Sequence, residues 1–207
     1  MAVRQSAVEF KAVPAVTQNI NGWDVVQAFE GQGEGPFLVD LSHCPCMDIQ
    51  DRNLDQFPDL ADGLAIPKEM NGISRCGSFL ISRMNATQCM VWGLDGTLPE
   101  FNAFSATDIS GGMTILALVG KDTDKVIEKL APLDLFKPQV EGMALCQAPI
   151  HHIPCQIMVL DRETKVVIVA FARGYGQDMA NAILSAGKEH GLQPGGSNVI
   201  SQWLESI

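Results

Sequence analysis

A nearly continuous apolar run in the second half of the chain sets the strongest limit on its fold. The segment Thr114–Val119 carries no charge and is rich in β-branched residues, which predicts a strand buried on both faces. Gly120 ends the run. Asp122 or Thr123 can then cap a helix, because a short side-chain oxygen satisfies free N–H groups of the first turn. Pro132 should end that helix, since proline has no N–H to donate.

The same half of the chain continues with a hairpin pattern and a second helix pattern. Gln156–Leu160 and Val166–Phe171 are apolar segments separated by a polar turn, which predicts an antiparallel pair. A helix is then expected after Arg173, with Gly191 as the left-handed residue beyond its end. Its apolar face would carry Met179, Ala180, Ile183 and Leu184. The order strand–helix–hairpin–helix predicts an α+β unit.

The first half carries weaker versions of the same patterns. Phe37–Leu41 is a short strand candidate, and Ser78–Ser82 and Cys89–Gly93 are two more. Asp51–Leu64 has apolar residues at helical spacing, which predicts a helix, although Pro58 shortens it or forms its first turn.

A short internal similarity indicates duplication. Val39–Ser42 resembles Thr107–Ser110, and each is followed by a strand pattern, an acidic cap region, a helix pattern and a hairpin-like pair. We therefore expect one compact unit with four parts: an N-terminal arm with the first elements (1–35), a first α+β repeat (36–104), a second repeat (105–192) and a C-terminal tail (193–207).

Composition excludes several classes of protein. The net charge of −10 and the lack of any Lys/Arg cluster argue against a nucleic-acid partner. No apolar run approaches the roughly 20 residues that cross a bilayer, so no membrane partner is expected. The N-terminus lacks the apolar core of a signal peptide, and we expect a cytoplasmic protein whose six cysteines are free thiols.

One cluster has the composition of a metal site. His43, Cys44 and Cys46 could bind zinc, which prefers thiolate and imidazole ligands in a tetrahedral shell. The remaining ligands would have to come from Cys146, His151, His152 and Cys155. No C-x2-C pair occurs, however, and the alternative is that Cys44 and Cys46 alternate along the end of a strand.

Histidine and glycine motifs give no specific site. His151 and His152 would point to opposite faces of a strand, and no signature selects a Cys–His nucleophile pair. Gly31–Gly35 reads as a turn rather than a phosphate loop, because Pro36 follows it and no strand precedes it. The segment beginning at Gly120 lacks the spacing of a Walker loop.

Isolated polar and aromatic residues have both structural and functional interpretations. Asp40, Asp108 and Asp134 lie beside apolar residues and are expected to accept backbone N–H groups at turns, or alternatively to hold a ligand amine. Arg173 could bind a carboxylate, although a surface or interface ion pair is the commoner outcome. We expect packing or interface roles for Trp92 and Trp203.

Several of these segments, in this order and spacing, resemble the gamma subunit of heterotetrameric sarcosine oxidase and the related small subunit of N-methylglutamate dehydrogenase. The resemblance covers roughly residues 36–192. The segments are Asp40–His43, Gly77–Arg83, Cys89–Trp92, Thr107–Ser110, Pro132–Leu135, Arg173–Tyr175 and Glu189–Gly191.

The resemblance implies a fold and a role. The fold would be aminomethyltransferase-like and folate-binding in type: duplicated β2-α-β3-α units with mainly antiparallel sheets and exchanged first strands. The parent complex oxidatively demethylates an N-methyl amino acid. Its alpha and beta subunits carry FAD, FMN, NAD and the tetrahydrofolate site, and its delta subunit holds zinc. The gamma subunit would have no catalytic, cofactor-binding or metal-binding residue.

The chain departs from the family pattern at two places. Cys44–Cys46 stand where the family often has basic or aromatic residues, and Gly174 stands where many members have Ser. A complex with another substrate would account for these departures. Two other hypotheses stay open: a stand-alone folate-binding aminomethyltransferase-like protein, and a zinc-dependent enzyme using His43, Cys44 and Cys46.

Overall fold

The computed structural model describes residues 4–57, 59–61, 63–100, 105–131, 133–136 and 142–206. The strands are β1 (Pro14–Ile20), β2 (Trp23–Phe29), β3 (Phe37–Asp40), β4 (Cys46–Gln50), β5 (Asp59–Ala61), β6 (Leu64–Ala65), β7 (Ile73–Cys76), β8 (Phe79–Arg83), β9 (Gln88–Gly93), β10 (Ser105–Asp108), β11 (Met113–Val119), β12 (Ala144–Ile150), β13 (Ile153–Asp161), β14 (Val166–Ala172) and β15 (Gln193–Gly195). The helices are α1 (Thr123–Glu128), α2 (Gly176–Gly187) and α3 (Asn198–Ser206). Among the helices in these ranges, none has the length and apolarity to cross a membrane.

Two antiparallel sheets form the centre of the molecule. Sheet I has the strand order β10-β4-β9-β8-β7, and sheet II has the order β12-β13-β14-β11-β3-β15. Every pairing in both sheets is antiparallel except that of β15 with β3. The predicted α+β class with mainly antiparallel sheets is confirmed.

Each sheet contains one strand from the other half of the chain. β3 pairs with β11 in sheet II, although the chain continues from β3 into β4 of sheet I. β10 pairs with β4 in sheet I, although the chain continues from β10 into β11 of sheet II. The order β10-β4-β9-β8-β7 therefore has the same connectivity as β3-β11-β14-β13-β12.

The two similar tetrapeptides form the same turn at these crossings. Asp40 Oδ1 accepts the Ser42 N–H at 2.9 Å and the Ser42 hydroxyl at 2.6 Å. Asp108 Oδ1 accepts the Ser110 N–H at 2.9 Å and the Ser110 hydroxyl at 2.5 Å. The expectation that Asp40 and Asp108 fix backbone N–H groups at turns is confirmed for both residues.

Each serine also ties its crossing to the neighbouring strand. The Ile115 N–H donates to Ser42 Oγ at 3.3 Å, and the Cys46 N–H donates to Ser110 Oγ at 3.0 Å. Both serines are buried, so these hydrogen bonds do not compete with water.

We predict that Ser42→Ala lowers the free energy of unfolding by about 1–3 kcal/mol, because it removes a buried donor and acceptor at once. Urea unfolding measures this change. Ser201→Ala is the control, since the Ser201 side chain is exposed and donates only to the carbonyl of Ser197, the residue just before α3. Equal stability of the two variants would contradict the structural role of Ser42.

Three apolar clusters bind the layers together. The largest lies between the two sheets and includes Trp92, whose indole N–H donates to Ser82 Oγ at 3.0 Å. A second cluster joins the outer face of sheet II to α1 and α2, and a third covers the outer face of sheet I. β11 contributes Ile115 to the first cluster and Leu116 to the second, which confirms its burial on both faces.

The helix predicted over Asp51–Leu64 is wrong. The chain forms one 3-10 turn at Leu54–Gln56, and the short strands β5 and β6 follow it. Phe57 is extended, with φ −108° and ψ 95°, as expected for a residue that precedes proline, because the proline ring disfavours helical backbone there. Pro58 itself lies outside the described residues. The described part of 36–104 thus contains no α-helix, whereas the second half has α1 and α2. The expected β2-α-β3-α unit is therefore not duplicated in the described first half, although the strand connectivity is.

The second half agrees better with prediction. The Gln156–Phe171 hairpin forms as β13 and β14, α2 buries Met179, Ala180 and Ile183, and Gly191 has φ +74°. The prediction of a side-chain cap for α1 is wrong, because no side-chain hydrogen bond caps the N-terminus of this helix. Asp122 has φ +65°, and its carboxylate lies 2.7 Å from the Lys125 ammonium instead. Pro132, the predicted end of that helix, lies outside the described residues.

The two ends of the chain pack against each other. β1 and β2 form a hairpin in the N-terminal arm, and the C-terminal segment forms β15 and α3, which buries Trp203. The Ser197 N–H donates to the Val26 carbonyl at 2.9 Å, which joins this segment to β2. The hairpin is therefore held beside the end of β3.

Candidate functional site

A cavity of about 250 Å³ lies between the N-terminal hairpin and the body of the protein. The N-terminal segment of residues 6–14, β2, β15 and the end of β3 enclose it. These parts are far apart in sequence, so no local motif marks the cavity.

Aromatic side chains form one wall. Trp23 is only 5% exposed, and Phe10 packs edge-on against Phe29 with ring centroids 5.9 Å apart. The Arg173 guanidinium lies 5.6 Å from the Trp23 ring centroid, and it also donates to the Gln5 carbonyl. Arg173 therefore fixes the N-terminal segment against Trp23, and it forms no ion pair with another described residue of this chain. The predicted interface ion pair stays a prediction.

The polar side of the cavity carries Asp40 and His43. Asp40 Oδ1 is occupied by Ser42, whereas Oδ2 accepts no hydrogen bond from any described residue. Burial lowers the pKa of His43 below its ordinary value and outweighs the opposing effect of the Asp40 charge. The His43 imidazole is therefore neutral at pH 7.

The thiol beside His43 is not an activated nucleophile. Cys44 Sγ lies 3.7 Å from His43 Nε2 and donates to the Leu94 carbonyl at 3.5 Å. Burial, reinforced by the charge of Asp40, strongly raises the pKa of Cys44. A catalytic cysteine needs a lowered pKa, and the environment of Cys44 gives the opposite.

The other buried cysteines are equally unreactive. Burial raises the pKa of Cys46 and of Cys89 to about 12 and that of Cys155 to about 11. Cys146 is partly exposed rather than buried, although the burial that it has also raises its pKa. All six cysteines are free thiols, as expected.

We predict that iodoacetamide at pH 8 labels only the partly exposed Cys76 and Cys146 of the native protein, with Cys76 ahead because the pKa of Cys146 is raised. Peptide mass spectrometry would identify the labelled sites, and urea-unfolded protein is the control, in which all six thiols should react. Rapid labelling of native Cys44 would contradict the burial described above.

The candidate zinc ligands are not brought together. Within the described ranges, no group of three or more His, Cys, Asp and Glu side chains is arranged to hold a metal ion. Cys44 and Cys46 lie between the two sheets, whereas Cys155 lies in the cluster on the outer face of sheet II. The hypothesis of a zinc-dependent enzyme therefore has no assembled zinc site to support it in the described part of the chain.

The paired histidines lie in a turn rather than on a strand. His151 and His152 connect β12 to β13, with φ +47° and +69° and ring centroids 6.0 Å apart. The prediction that they point to opposite faces of a strand is therefore wrong. The His151 N–H donates to the Leu130 carbonyl at 3.1 Å, which ties the turn to the segment after α1.

Other sequence candidates have structural roles. Asp134 accepts the Phe136 N–H at 3.3 Å, as expected of a turn aspartate. The Trp203 indole N–H donates to Asp161 Oδ2 at 3.2 Å, so this residue packs as predicted. Gly31–Gly35 is irregular chain with positive φ at both end glycines, which agrees with a turn. The expectation that no strand precedes this segment is wrong, because β2 ends at Phe29.

The outer edge of the N-terminal hairpin forms a second candidate site, which we call the β1 edge. Pro14–Asn19 are all exposed, and Val13 and Val16 are 60% and 54% exposed. The chain carries no charge from Ala12 to Trp23. β1 pairs with β2 along one side, and no described strand covers its other side. Such an uncharged free edge is a site for pairing with another strand.

The amino-acid sequence gives only a weak indication of the cavity and of the β1 edge. Trp23, Val25, Val26 and Phe29 indicate a surface that faces a core or a partner, and the structure turns Trp23 and Phe29 toward the cavity. The uncharged segment around β1 was the only mark of the free edge.

The two antiparallel sheets that exchange β3 and β10 place the chain in a fold class, that of aminomethyltransferase-like architectures. The chain is similar to a chain of the heterotetrameric sarcosine oxidase from Corynebacterium sp. U-96 in complex with pyrrole 2-carboxylate, with a TM-score of 0.61 and 13% identity over 73% of this chain and 83% of that chain. It is also similar to the glycine cleavage system aminomethyltransferase T from Bartonella henselae, with a TM-score of 0.61 and 12% identity.

The second comparison covers 90% of this chain but 57% of aminomethyltransferase T, so the chain corresponds to little more than half of that protein. No protein-family model matches the chain, and no curated protein matches it. At these identities the similarity establishes the shared fold.

Proposed function

We propose that this chain is a non-catalytic, gamma-type subunit of a cytoplasmic complex related to heterotetrameric sarcosine oxidase. The complex would oxidatively demethylate an N-methyl amino acid or related amine, with tetrahydrofolate accepting the one-carbon unit. FAD, FMN, NAD, zinc and tetrahydrofolate would be bound by alpha, beta and delta partner subunits.

One observation carries the proposal: the fold agrees with a chain of a heterotetrameric sarcosine oxidase over 83% of that chain's length. The chemistry of the described residues supports it. The buried thiols have raised pKa values, and the candidate zinc ligands lie in different clusters. Both features suit a subunit that acts by assembly.

The β1 edge is the surface that we assign to a partner subunit. Its unpaired backbone N–H and C=O groups are matched by an extended strand, which would add to the hairpin. The exposed residues around the hairpin include the carboxylates Glu9, Asp24 and Glu30 and the cations Arg4 and Lys11, so charge alone does not choose the partner. The expected occupant is an extended strand of the flavin-carrying partner, which would pair with the free backbone groups of the β1 edge.

Affinity purification from the native cells tests the proposal. The tagged chain should retain a stoichiometric polypeptide with the absorbance of bound flavin, and Val16→Lys should reduce its recovery at least tenfold, because a charge at the middle of an edge strand blocks pairing. Met70→Lys is the matched control: Met70 is 64% exposed and lies outside the hairpin. A chain that retains no flavoprotein, or equal recovery with Val16→Lys, would contradict the assignment.

The stand-alone aminomethyltransferase-like protein is the second candidate, because the similarity to aminomethyltransferase T extends over 90% of this chain. Calorimetric titration with tetrahydrofolate separates the two. The cavity of about 250 Å³ lies below the roughly 300–1,000 Å³ of pockets for drug-sized ligands, so we expect no tight binding of tetrahydrofolate in this cavity. Micromolar binding would favour the second candidate.

A further inference from the structure

We propose that the cavity beside Asp40 is a binding site for a small alkylammonium ion, independently of whether the chain is a subunit of the complex above. The ammonium group would lie against Asp40, and the alkyl group would lie against Trp23 and Phe29.

The carboxylate at this site is positioned by other hydrogen bonds. Ser42 donates twice to Asp40 Oδ1, which fixes the carboxylate at the end of β3. Asp40 lines the cavity, and its Oδ2 accepts no hydrogen bond within the described part of the chain. A carboxylate oxygen without a partner in a partly enclosed cavity is an acceptor for a charged donor.

The charges around the cavity select a cation. The ionisable residues that line it are Glu9, Asp24, Asp40 and His43, and no lysine or arginine is among its described lining residues. Since His43 is neutral at pH 7, the lining carries three negative charges. An anionic ligand would be repelled here, whereas an ammonium ion is attracted.

The walls select an organic cation over a metal ion. Trp23, Phe29 and Phe10 form an apolar aromatic surface. The Arg173 guanidinium already lies 5.6 Å from the Trp23 ring centroid, so the rings of Phe29 and Phe10 are the ones that would attract an alkylammonium group through cation–π contacts. A metal ion would need several converging ligands, and the described residues hold no such group. The small volume limits the ligand to an amine with a few carbon atoms.

Paired probes test the site on the full chain. tert-Butylammonium and tert-butanol share an alkyl group and differ in charge, so their Kd values can be compared from shifts of the Trp23 indole NMR resonance, which Trp23→Phe would assign. We expect tert-butylammonium to bind about tenfold more tightly than tert-butanol, as a charge-assisted hydrogen bond implies. Equal affinity of the two probes, or no shift with either, would overturn the proposal.

The chain supplies its own matched control variant. Asp40→Asn should weaken tert-butylammonium binding about tenfold and leave tert-butanol unaffected. Asp108→Asn changes the same type of turn away from the cavity and should leave both Kd values unchanged. If Asp40→Asn does not fold, Asp24→Asn, at an exposed lining residue, should weaken the ammonium probe severalfold by the same loss of charge. An unchanged Kd for tert-butylammonium in Asp40→Asn, or in Asp24→Asn where that variant replaces it, would contradict the proposed binding site.

Discussion

Gly196→Ala should detach the N-terminal hairpin from the body of the protein and lower the free energy of unfolding by about 3 kcal/mol or more. A Cβ atom at this position would lie 2.1 Å from the Gln27 carbonyl oxygen and 2.5 Å from the Ala28 nitrogen. Both are backbone atoms of β2, so they cannot move aside as a flexible side chain could. Overpacking of this kind typically costs 1–3 kcal/mol even where side chains absorb it.

Thermal and urea unfolding measure this effect, and hydrogen exchange of the β2 amides shows whether the loss begins at the hairpin. Gly174→Ala is the control, because a Cβ there meets nothing within 4 Å. We expect Gly196→Ala also to abolish tert-butylammonium binding, since β2 forms a wall of the cavity. A Gly196→Ala protein as stable as Gly174→Ala would contradict the packing of the two chain ends.

Arg83→Met should lower the free energy of unfolding by about 3 kcal/mol, because it removes several hydrogen bonds of a buried guanidinium group. Arg83 Nη1 donates to Asp55 at 2.7 Å, to the Pro67 carbonyl at 3.0 Å and to the Lys68 carbonyl at 3.1 Å. Nε donates to the Asn85 carbonyl at 3.3 Å. One side chain thus holds the segment between β6 and β7 against sheet I.

Substitution of Asp55, the ion-pair partner of Arg83, should have a much smaller effect on stability. The Asp55 side chain is 72% exposed, so Asp55→Asn should cost less than about 1 kcal/mol. Chemical denaturation of both variants gives the two values. If Asp55→Asn were as destabilising as Arg83→Met, the ion pair rather than the carbonyl contacts would carry the stability.

The same segment also joins the two sheets at their far edges. The Leu145 N–H donates to the Asn71 carbonyl at 2.7 Å, and Gly72 forms an isolated bridge with Ala144. Loss of Arg83 should therefore loosen the start of β12 as well as sheet I, which hydrogen exchange at Leu145 would detect.

The second half of the fold could be predicted from the sequence because its signals are local. The run at Thr114–Val119 is long enough to require burial on both faces, and α2 has a helical period with a glycine beyond its end. The segment Asp51–Leu64 misled prediction because apolar spacing is also satisfied by irregular chain. Leu54 and Leu64 pack into the cluster on sheet I without forming a helix.

The candidate sites were beyond local prediction for a different reason. The cavity joins Trp23, Asp40 and Gly195, which only the packing of the two chain ends brings together. The exchange of β3 and β10 also depends on pairing between the halves, and the sequence marked it only through the two Asp-x-Ser turns and the resemblance to a known family. Local sequence patterns were enough to predict helices, strands and turns in the second half. The cavity and the strand exchange depend on contacts between distant parts of the chain, which local patterns do not show.

Formaldehyde release from N-methyl amino acids, compared between the purified chain and the complex recovered with it, tests most directly whether the chemistry lies in partner polypeptides. We predict that sarcosine or a related N-methyl amine is demethylated by the complex. The chain alone should release no formaldehyde when flavin is supplied, and it should form no methylenetetrahydrofolate when tetrahydrofolate is added as well. Turnover by the chain alone would contradict the account.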